Sequence, residues 1–196
     1  MIWAKRLQDI TKPASLIFSP DEYILGHSYS EWLSLWWLNY NLSQRDRLKQ
    51  PVFFVPGKIM ESPKQSKIKS RYIVIKQDKP ILFAILNWLA ADHEDRRTDD
   101  ELIQECKNRI DVVAENKQRF QIINDKTGSG GDISFLSSRS RSTFFTINKH
   151  KCLTEGYWLF LKPNFFAEKG DYSINSFGTC SSGKTQVEID YHVFIR

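Results

Sequence analysis

Two aromatic blocks, more than a hundred residues apart, decide the fold that we expect for this chain. The first is Ser28-Tyr29-Ser30-Glu31-Trp32 followed by Trp36-Trp37, and the second is Gly156-Tyr157-Trp158-Leu159-Phe160-Leu161-Lys162-Pro163. Together they hold four of the six tryptophans. Because large aromatic side chains contribute most when they are buried, we expect both blocks to pack in one shared core.

Two helices are predicted from capping boxes, in which a Ser or Thr is followed three residues later by Glu. Ser28 with Glu31 predicts a helix over residues 29–41, apolar on most of its circumference and therefore largely buried. Thr98 with Glu101 predicts an amphipathic helix over residues 98–116 that lies on a surface.

Most of the remaining pattern indicates short strands separated by turn residues. The last strand is the clearest, because apolar residues alternate with polar ones from Val187 to Ile195. Residues 58–69 and the basic segment 137–142 read as loops, whereas 133–136 reads as a strand. We therefore expect a mainly β (α+β) fold: an antiparallel two-sheet β-sandwich, with a jelly roll as one form of it, and two packed helices. Residues 1–196 form one predicted domain, of which 1–27 are a possible N-terminal extension.

Composition narrows the class of protein without naming a function. The chain has 196 residues, 41% hydrophobic and 26% charged, with a net charge of +5, which permits an anionic partner. Its three cysteines, Cys106, Cys152 and Cys180, form no CxxC pair, so a zinc ribbon is not expected. No apolar segment of signal-peptide type follows the first residues, which predicts a cytoplasmic protein; a leader that has been removed is the alternative.

The aromatic blocks resemble those of a family of bacterial proteins of unassigned function. Its members share a Ser-Tyr-Gly-Glu-Trp block, a Trp-Trp pair and a late Asp-Gly-Tyr-Trp block leading into Leu-x-Pro. This chain matches in order over residues 26–196, with Ser30 in place of Gly and Glu155 in place of Asp. The resemblance implies a shared fold and supplies no activity.

Candidate metal ligands are densest at Asp92, His93 and Glu94, in a loop that follows a predicted strand. Carboxylates and imidazoles are ligands for hard cations or zinc. Consecutive loop residues rarely converge on one ion, so solvated side chains are the simpler interpretation. No HxH or HExxH spacing supports a metal site elsewhere.

Other candidates are single residues. Glu31 could act as an acid or base if burial beside tryptophans raised its pKa, although its capping role is favoured. His192 is a second catalytic candidate. Candidate ligand-binding residues are Tyr157, Trp158, Arg139 and Arg141, although Trp158 is also expected in the core.

The leading hypothesis is a non-enzymatic ligand-binding or interaction module, for a carbohydrate or protein ligand, with no cofactor expected. The first alternative is a metal-assisted hydrolase that uses the loop of Asp92, His93 and Glu94. The second is nucleic-acid binding through the two basic segments, 58–71 and 137–142, which the modest net charge makes less attractive. No membrane span is predicted, because the longest apolar stretch is too short to cross a bilayer.

Overall fold

Two five-stranded sheets and three helices account for most of the regular structure of the described residues. A computed structural model describes residues 16–57, 65–92, 97–110, 118–180 and 185–196. The helices are α1 (Tyr29–Leu38), α2 (Gln44–Arg47) and α3 (Asp99–Ile110). The strands are β1 (Tyr23–Ile24), β2 (His27–Ser28), β3 (Phe53–Phe54), β4 (Gln65–Ile75), β5 (Ile81–Ala91), β6 (Arg119–Asn124), β7 (Gly130–Asp132), β8 (Ser138–Arg141), β9 (Phe145–Ile147), β10 (His150–Leu161), β11 (Gly170–Cys180) and β12 (Thr185–Ile195).

Both five-stranded sheets are mixed. Sheet 1 has the order β3-β5-β10-β8, with β9 also pairing with β10, and sheet 2 has the order β4-β12-β11-β6-β7. Strands β3 and β5 pair in parallel, as do β4 and β12. The predicted purely antiparallel arrangement is therefore wrong at these two pairs. A parallel pair needs a crossover connection, and the chain between β3 and β5 passes through β4 in the other sheet.

One face of each sheet contributes to a common apolar core. The ring of Phe83 on β5 lies 4.8 Å from that of Phe120 on β6 and 6.1 Å from that of Tyr191 on β12. The predicted alternation of the last strand is confirmed, because Ile189, Tyr191, Val193 and Ile195 are buried. Each such side chain stabilises the fold by about 1.5–3 kcal/mol when it leaves water.

Helix α1 packs on the other face of sheet 1, where the two aromatic blocks meet. The rings of Trp36 and Trp158 are 5.7 Å apart in an edge-to-face arrangement, and Trp36 Nε1 donates to the carbonyl of Val55 at 3.0 Å. The predicted capping box is confirmed: the Ser28 amide donates to Glu31 at 2.7 Å, and the Glu31 amide donates to Ser28 Oγ at 3.3 Å. The expectation of one shared core is correct, although α1 ends at Leu38 rather than at residue 41.

Helix α3 covers part of the opposite face of sheet 1. Its capping box is also confirmed, because the Thr98 amide donates to Glu101 at 2.7 Å. Leu102, Cys106 and Ile110 are buried, and the first two pack with Ala90 of β5 and Leu153 of β10. The predicted end of this helix, at residue 116, lies outside the described residues.

Several predicted loops and strands differ from the structure. Residues 65–69, expected in a loop, belong to β4, and the basic segment 137–142 contains the strand β8. Conversely, the predicted strand 133–136 is a turn of 3₁₀ helix at Ser134–Leu136. Polar sequences form these strands because pairing with a neighbouring strand, rather than an apolar pattern of their own, sets their conformation.

The described part of the predicted N-terminal extension contacts the end of β10. Ile17 forms a bridge with Leu161, the Phe18 amide donates to the Phe160 carbonyl at 2.9 Å, and the Lys162 amide donates to the Leu16 carbonyl at 2.8 Å. Among the helices of the described residues, none has the length and apolar character needed to cross a bilayer.

Replacing Trp158 with Ala should lower the free energy of unfolding by about 3–5 kcal/mol, because the side chain is 0% exposed and its loss leaves a cavity against Trp36. Chemical denaturation monitored by circular dichroism measures the change. The exposed Tyr23, changed to Ala, is the matched control and should be nearly neutral. A near-neutral effect of Trp158→Ala would contradict its core position.

Candidate functional site

Three of the four predicted ligand-binding residues share one face of sheet 1. Arg139 of β8 lies opposite Tyr157 of β10, and Arg141 lies opposite Glu155. Because alternate residues of a strand point to the same face, both arginines, Glu155 and Tyr157 project to the side on which α3 and sheet 2 also pack. This face is the strongest candidate for a functional site in the described chain.

Glu155 holds the two arginines side by side. Its Oε1 accepts from Arg139 Nε at 2.9 Å and from Arg139 Nη2 at 2.7 Å, while its Oε2 accepts from Arg141 Nε at 2.9 Å and lies 2.9 Å from Arg141 Nη2. The side chain of Glu155 is only 6% exposed, whereas those of Arg139 and Arg141 are 34% and 32% exposed. A buried carboxylate requires such charge-assisted hydrogen bonds, so both guanidinium groups are fixed at the surface.

The polar contacts continue across β5 to helix α3. Trp88 lies opposite Glu155 on the neighbouring strand, and its Nε1 donates to Glu105 Oε1 at 3.0 Å. Glu105 also accepts from Arg97, and the guanidinium of Arg109 lies 4.6 Å from the centre of the Trp88 ring. We call Trp88, Glu105, Arg139, Arg141 and Glu155 the Glu155 cluster.

The strand register places this cluster between two covering elements. On one side, Ala90 and Leu153 pack under α3. On the other, sheet 2 approaches β5 so closely that a Cβ added to Gly178 would lie 2.9 Å from the Cβ of Leu86. Trp88 and Glu155 lie between these two contacts along their strands, so the cluster occupies the stretch of sheet 1 that separates α3 from sheet 2.

The charges around the cluster favour an anion. Among the side chains that the structure describes, the cluster and its neighbours include four arginines, Arg97, Arg109, Arg139 and Arg141, and two carboxylates, Glu105 and Glu155. Glu155 with its two arginines alone carries one net positive charge. Guanidinium groups bind carboxylate and phosphate oxygens in a paired, planar geometry, so this arrangement can bind and orient an acidic group.

The predicted metal loop is described only at Asp92. The carboxylate of Asp92 accepts from the Lys151 amide, and its Oδ1 lies 3.9 Å from His150 Nδ1. His93 and Glu94 lie outside the described residues. Within the described part of the chain, no group of three or more His, Cys, Asp or Glu side chains is arranged to hold a metal ion.

Glu31 and His192, the two catalytic candidates, both contact neighbouring side chains of the fold. Ser28 donates to Glu31 through its amide and its hydroxyl, and these bonds lower the pKa of Glu31 below its usual value, opposite to the direction that the catalytic hypothesis needs. His192 stacks on Tyr72 with ring centres 4.9 Å apart, on the outer face of sheet 2. It lines a concavity there with Asn175 and Asp190, which are hydrogen-bonded to each other at 2.6 Å.

Trp158, the fourth predicted ligand-binding residue, lies in the core. Its ring is completely buried against Trp36, which leaves no surface for a ligand. The helical tryptophans Trp32, Trp36 and Trp37 are buried as well, as their spacing predicts. A carbohydrate would therefore have to bind elsewhere than on these rings.

The two cysteines whose side chains are described are free and buried. Burial raises the pKa of Cys106 to about 12 and also raises that of Cys152 above its usual value. The thiol of Cys152 donates to the carbonyl of His150 at 3.4 Å. The thiolate is the reactive form of cysteine. Because the raised pKa values keep both residues as thiols, neither is activated as a nucleophile.

Comparisons with protein-family models, with curated proteins and with solved structures give no match for this chain. The resemblance to the bacterial family therefore stays a prediction.

Sequence reasoning missed Glu155, Trp88 and Glu105 as site residues. A signal for Glu155 does exist, because it is the only charged residue between Leu153 and Leu161, a stretch that is mostly apolar. A charge within a buried strand needs a partner, and the alternating Ser-Arg-Ser-Arg of β8 supplies two. Nothing in the local sequence, however, pairs β8 with β10.

Changing Glu155 to Gln should lower the free energy of unfolding by about 1–3 kcal/mol, because both arginines lose the carboxylate that accepts their hydrogen bonds. Water solvates the two guanidinium groups in part, which limits the loss. Thermal and chemical denaturation measure the loss. The exposed Glu168, changed to Gln, is the matched control. Unchanged stability of Glu155→Gln would show that the cluster does not hold the strands together.

Native protein carrying Cys180→Ser should react very slowly with a disulfide reagent at pH 7.5, because Cys106 and Cys152 are buried and stay protonated. Two thiols should react at once in guanidinium chloride. Absorbance of the released chromophore counts them. Rapid release of two equivalents without denaturant would contradict the buried positions.

Proposed function

We propose that this protein is a non-enzymatic binding module that holds an acidic group of its ligand on the Glu155 cluster. The observation that carries the proposal is the paired geometry of Arg139 and Arg141, which one buried carboxylate fixes at the surface. A site whose side chains are held before binding loses little conformational entropy when the ligand arrives.

Neighbouring groups support a ligand with an apolar body. Tyr157 follows Glu155 by two residues on β10, and Trp88 lies opposite Glu155 on β5. Both aromatic residues are half-buried. Aromatic side chains combine a large apolar surface with few rotatable bonds, and they are common where proteins bind ligands. An acidic protein segment satisfies both features, and it is the ligand class that we propose.

The nucleic-acid hypothesis has less support. Both arginines of segment 137–142 form ion pairs with Glu155. In the segment 58–71, residues 58–64 lie outside the described chain, and the side chains of 65–70 are not described. Extended basic surfaces, rather than one pair of arginines, usually bind a nucleic-acid backbone.

The metal-assisted hydrolase depends on His93 and Glu94, outside the described residues, so it stays a prediction. Elemental analysis of untagged protein tests it, with a triple alanine variant of Asp92, His93 and Glu94 as the control. Stoichiometric metal that the variant loses would favour the hydrolase over the binding module.

We further infer that the two sheets form a β-sandwich. The contact of Phe83 with Phe120 and Tyr191 supports this arrangement, since the three rings come from both sheets. A jelly roll consists of antiparallel strands, and the two parallel pairs depart from that pattern, so we do not extend the inference to it.

Titration with a tetraglutamate peptide at constant ionic strength should shift the Nε–Hε signals of Arg139 and Arg141 in two-dimensional ¹H–¹⁵N NMR spectra. A tetraglutamine peptide should not shift them, because it lacks the carboxylates. Changing both arginines to Gln should weaken binding about tenfold or more.

The exposed Arg45 of α2, changed to Gln, is the matched control and should bind as the unchanged protein does. Equal binding by the double arginine variant, or no saturable binding below about 1 mM, would refute the proposal.

A further inference from the structure

The concavity on the outer face of sheet 2 lies along one row of cross-strand neighbours. The register places Tyr72 of β4, His192 of β12, Ser173 of β11 and Ile123 of β6 next to one another in that order. Their side chains share the outer face, because the residues on either side of Ser173, His192 and Ile123 along their strands are buried. Ser173 is the smallest of the four, so it leaves a gap in the row.

The gap over Ser173 has room for one ring. Neighbouring strands are about 4.7–4.9 Å apart, so His192 and Ile123, on the two strands that flank β11, are separated by about 9–10 Å. Tyr72 stacks on one face of the His192 ring with ring centres 4.9 Å apart. On its other side, His192 lines a concavity of about 280 Å³ together with Ser173 and Ile123. This volume is close to the lower end of the range for small-molecule sites.

Polar side chains border the concavity one row further along the strands. Asp190, Asn175 and Gln121 are cross-strand neighbours, and all three line it. Asn175 Nδ2 donates to Asp190 Oδ1 at 2.6 Å and to Glu188 Oε1 at 3.1 Å, while Arg119 Nε donates to Asn175 Oδ1 at 3.0 Å. These bonds orient the Asn175 amide and the Asp190 carboxylate before a ligand arrives, which reduces the entropy lost on binding.

The hydrogen-bonding groups around the gap match hydroxyl groups of a ligand. With the described residues, the side chains of Ser173 and Gln121 form no hydrogen bond. Each of them supplies donors and acceptors, whereas the carboxylate of Asp190 only accepts. An ammonium group offers only donors, and a phosphate offers mainly acceptors and would meet the negative charge of Asp190. Hydroxyl groups both donate and accept, so they alone match the whole set.

We propose that this concavity binds one pyranose ring of a neutral saccharide. The ring lies over Ser173 between His192 and Ile123, and its C–H groups contact these two side chains. Its hydroxyl groups form hydrogen bonds with Ser173, Gln121 and Asp190. The site is on sheet 2, whereas the Glu155 cluster is on sheet 1, so the inference goes beyond the acidic ligand proposed above and does not rest on it.

Titrations followed by two-dimensional ¹H–¹⁵N NMR test the proposal with the methyl pyranosides of glucose, galactose and mannose. At least one should bind saturably and shift the backbone amide signals of Ser173, Gln121 and Asp190. Phosphate and methylammonium, at the same ionic strength, should not shift these signals saturably, because each matches only part of the hydrogen-bonding set.

Two variants of the outer face locate the binding. Ser173→Tyr should abolish the saturable shifts, because the larger side chain fills the gap. Gln121→Leu should weaken binding about tenfold, because it removes the donors and the acceptor of the amide. Both positions are half-buried, and thermal unfolding of the variants is checked first. Gln104→Leu, at an exposed position of α3, is the matched control and should bind as the unchanged protein does.

The proposal is overturned if none of the three glycosides binds saturably below about 10 mM, or if phosphate or methylammonium binds more tightly than all of them. Equal binding by Ser173→Tyr would overturn it too, and if that variant does not fold, equal binding by Gln121→Leu decides in its place. The double variant Arg139→Gln and Arg141→Gln should bind the sugar normally. Loss of binding there would place the sugar on the Glu155 cluster and refute the site on sheet 2.

Discussion

Burial of both faces of β10 is the constraint on which the other elements depend. Trp158 and Phe160 point to α1, whereas Leu159 and Leu161 point to sheet 2. Because successive side chains of a strand alternate between faces, a run of apolar residues can serve both layers at once. The helix, the second sheet and the aromatic blocks are therefore positioned by one strand, and α3 is added where Leu153 continues the same face.

Glycine at one position of β10 allows this central pairing. A Cβ at Gly156 would lie 2.3 Å from the carbonyl oxygen of Leu86, so a larger residue would push β5 away. The register shift that follows, between Tyr157 and Trp158, lies next to it. The close approach keeps Glu155 opposite Trp88 and Arg141. The geometry of the proposed binding surface thus depends on the backbone contact beside it as well as on its own ion pairs.

The parts of the fold that could be predicted are those whose sequence pattern lies within a few consecutive residues. Each capping box needs only four residues, and the alternation of β12 is visible within one strand, so the starts of the two helices and the last strand were predicted correctly. Strand β8 was not, since Ser138–Arg141 contains no apolar residue and becomes a strand through its pairing with β10. The residues of the Glu155 cluster show the same difference between what local sequence reveals and what strand pairing decides. Arg139, Arg141 and Tyr157 could be chosen by residue type, but Glu155 as their partner required knowledge of the register. The burial of Arg47 could not be predicted from the sequence, because its guanidinium group donates to backbone carbonyls whose positions only the folded chain sets.

The place of β12 in sheet 2 has a consequence for how the chain folds. Strand β12 pairs on one side with β11, its neighbour in sequence, and on the other with β4, more than a hundred residues earlier. The hairpin of β11 and β12 closes a short loop, whereas the pairing with β4 must overcome the entropy of a long one before it gains any stabilisation. We therefore expect sheet 2 to be completed late during refolding. Until β4 docks, one edge of β12 and the apolar faces of both strands remain open to other chains, so protein concentration, as much as temperature, should set the yield of refolded molecules.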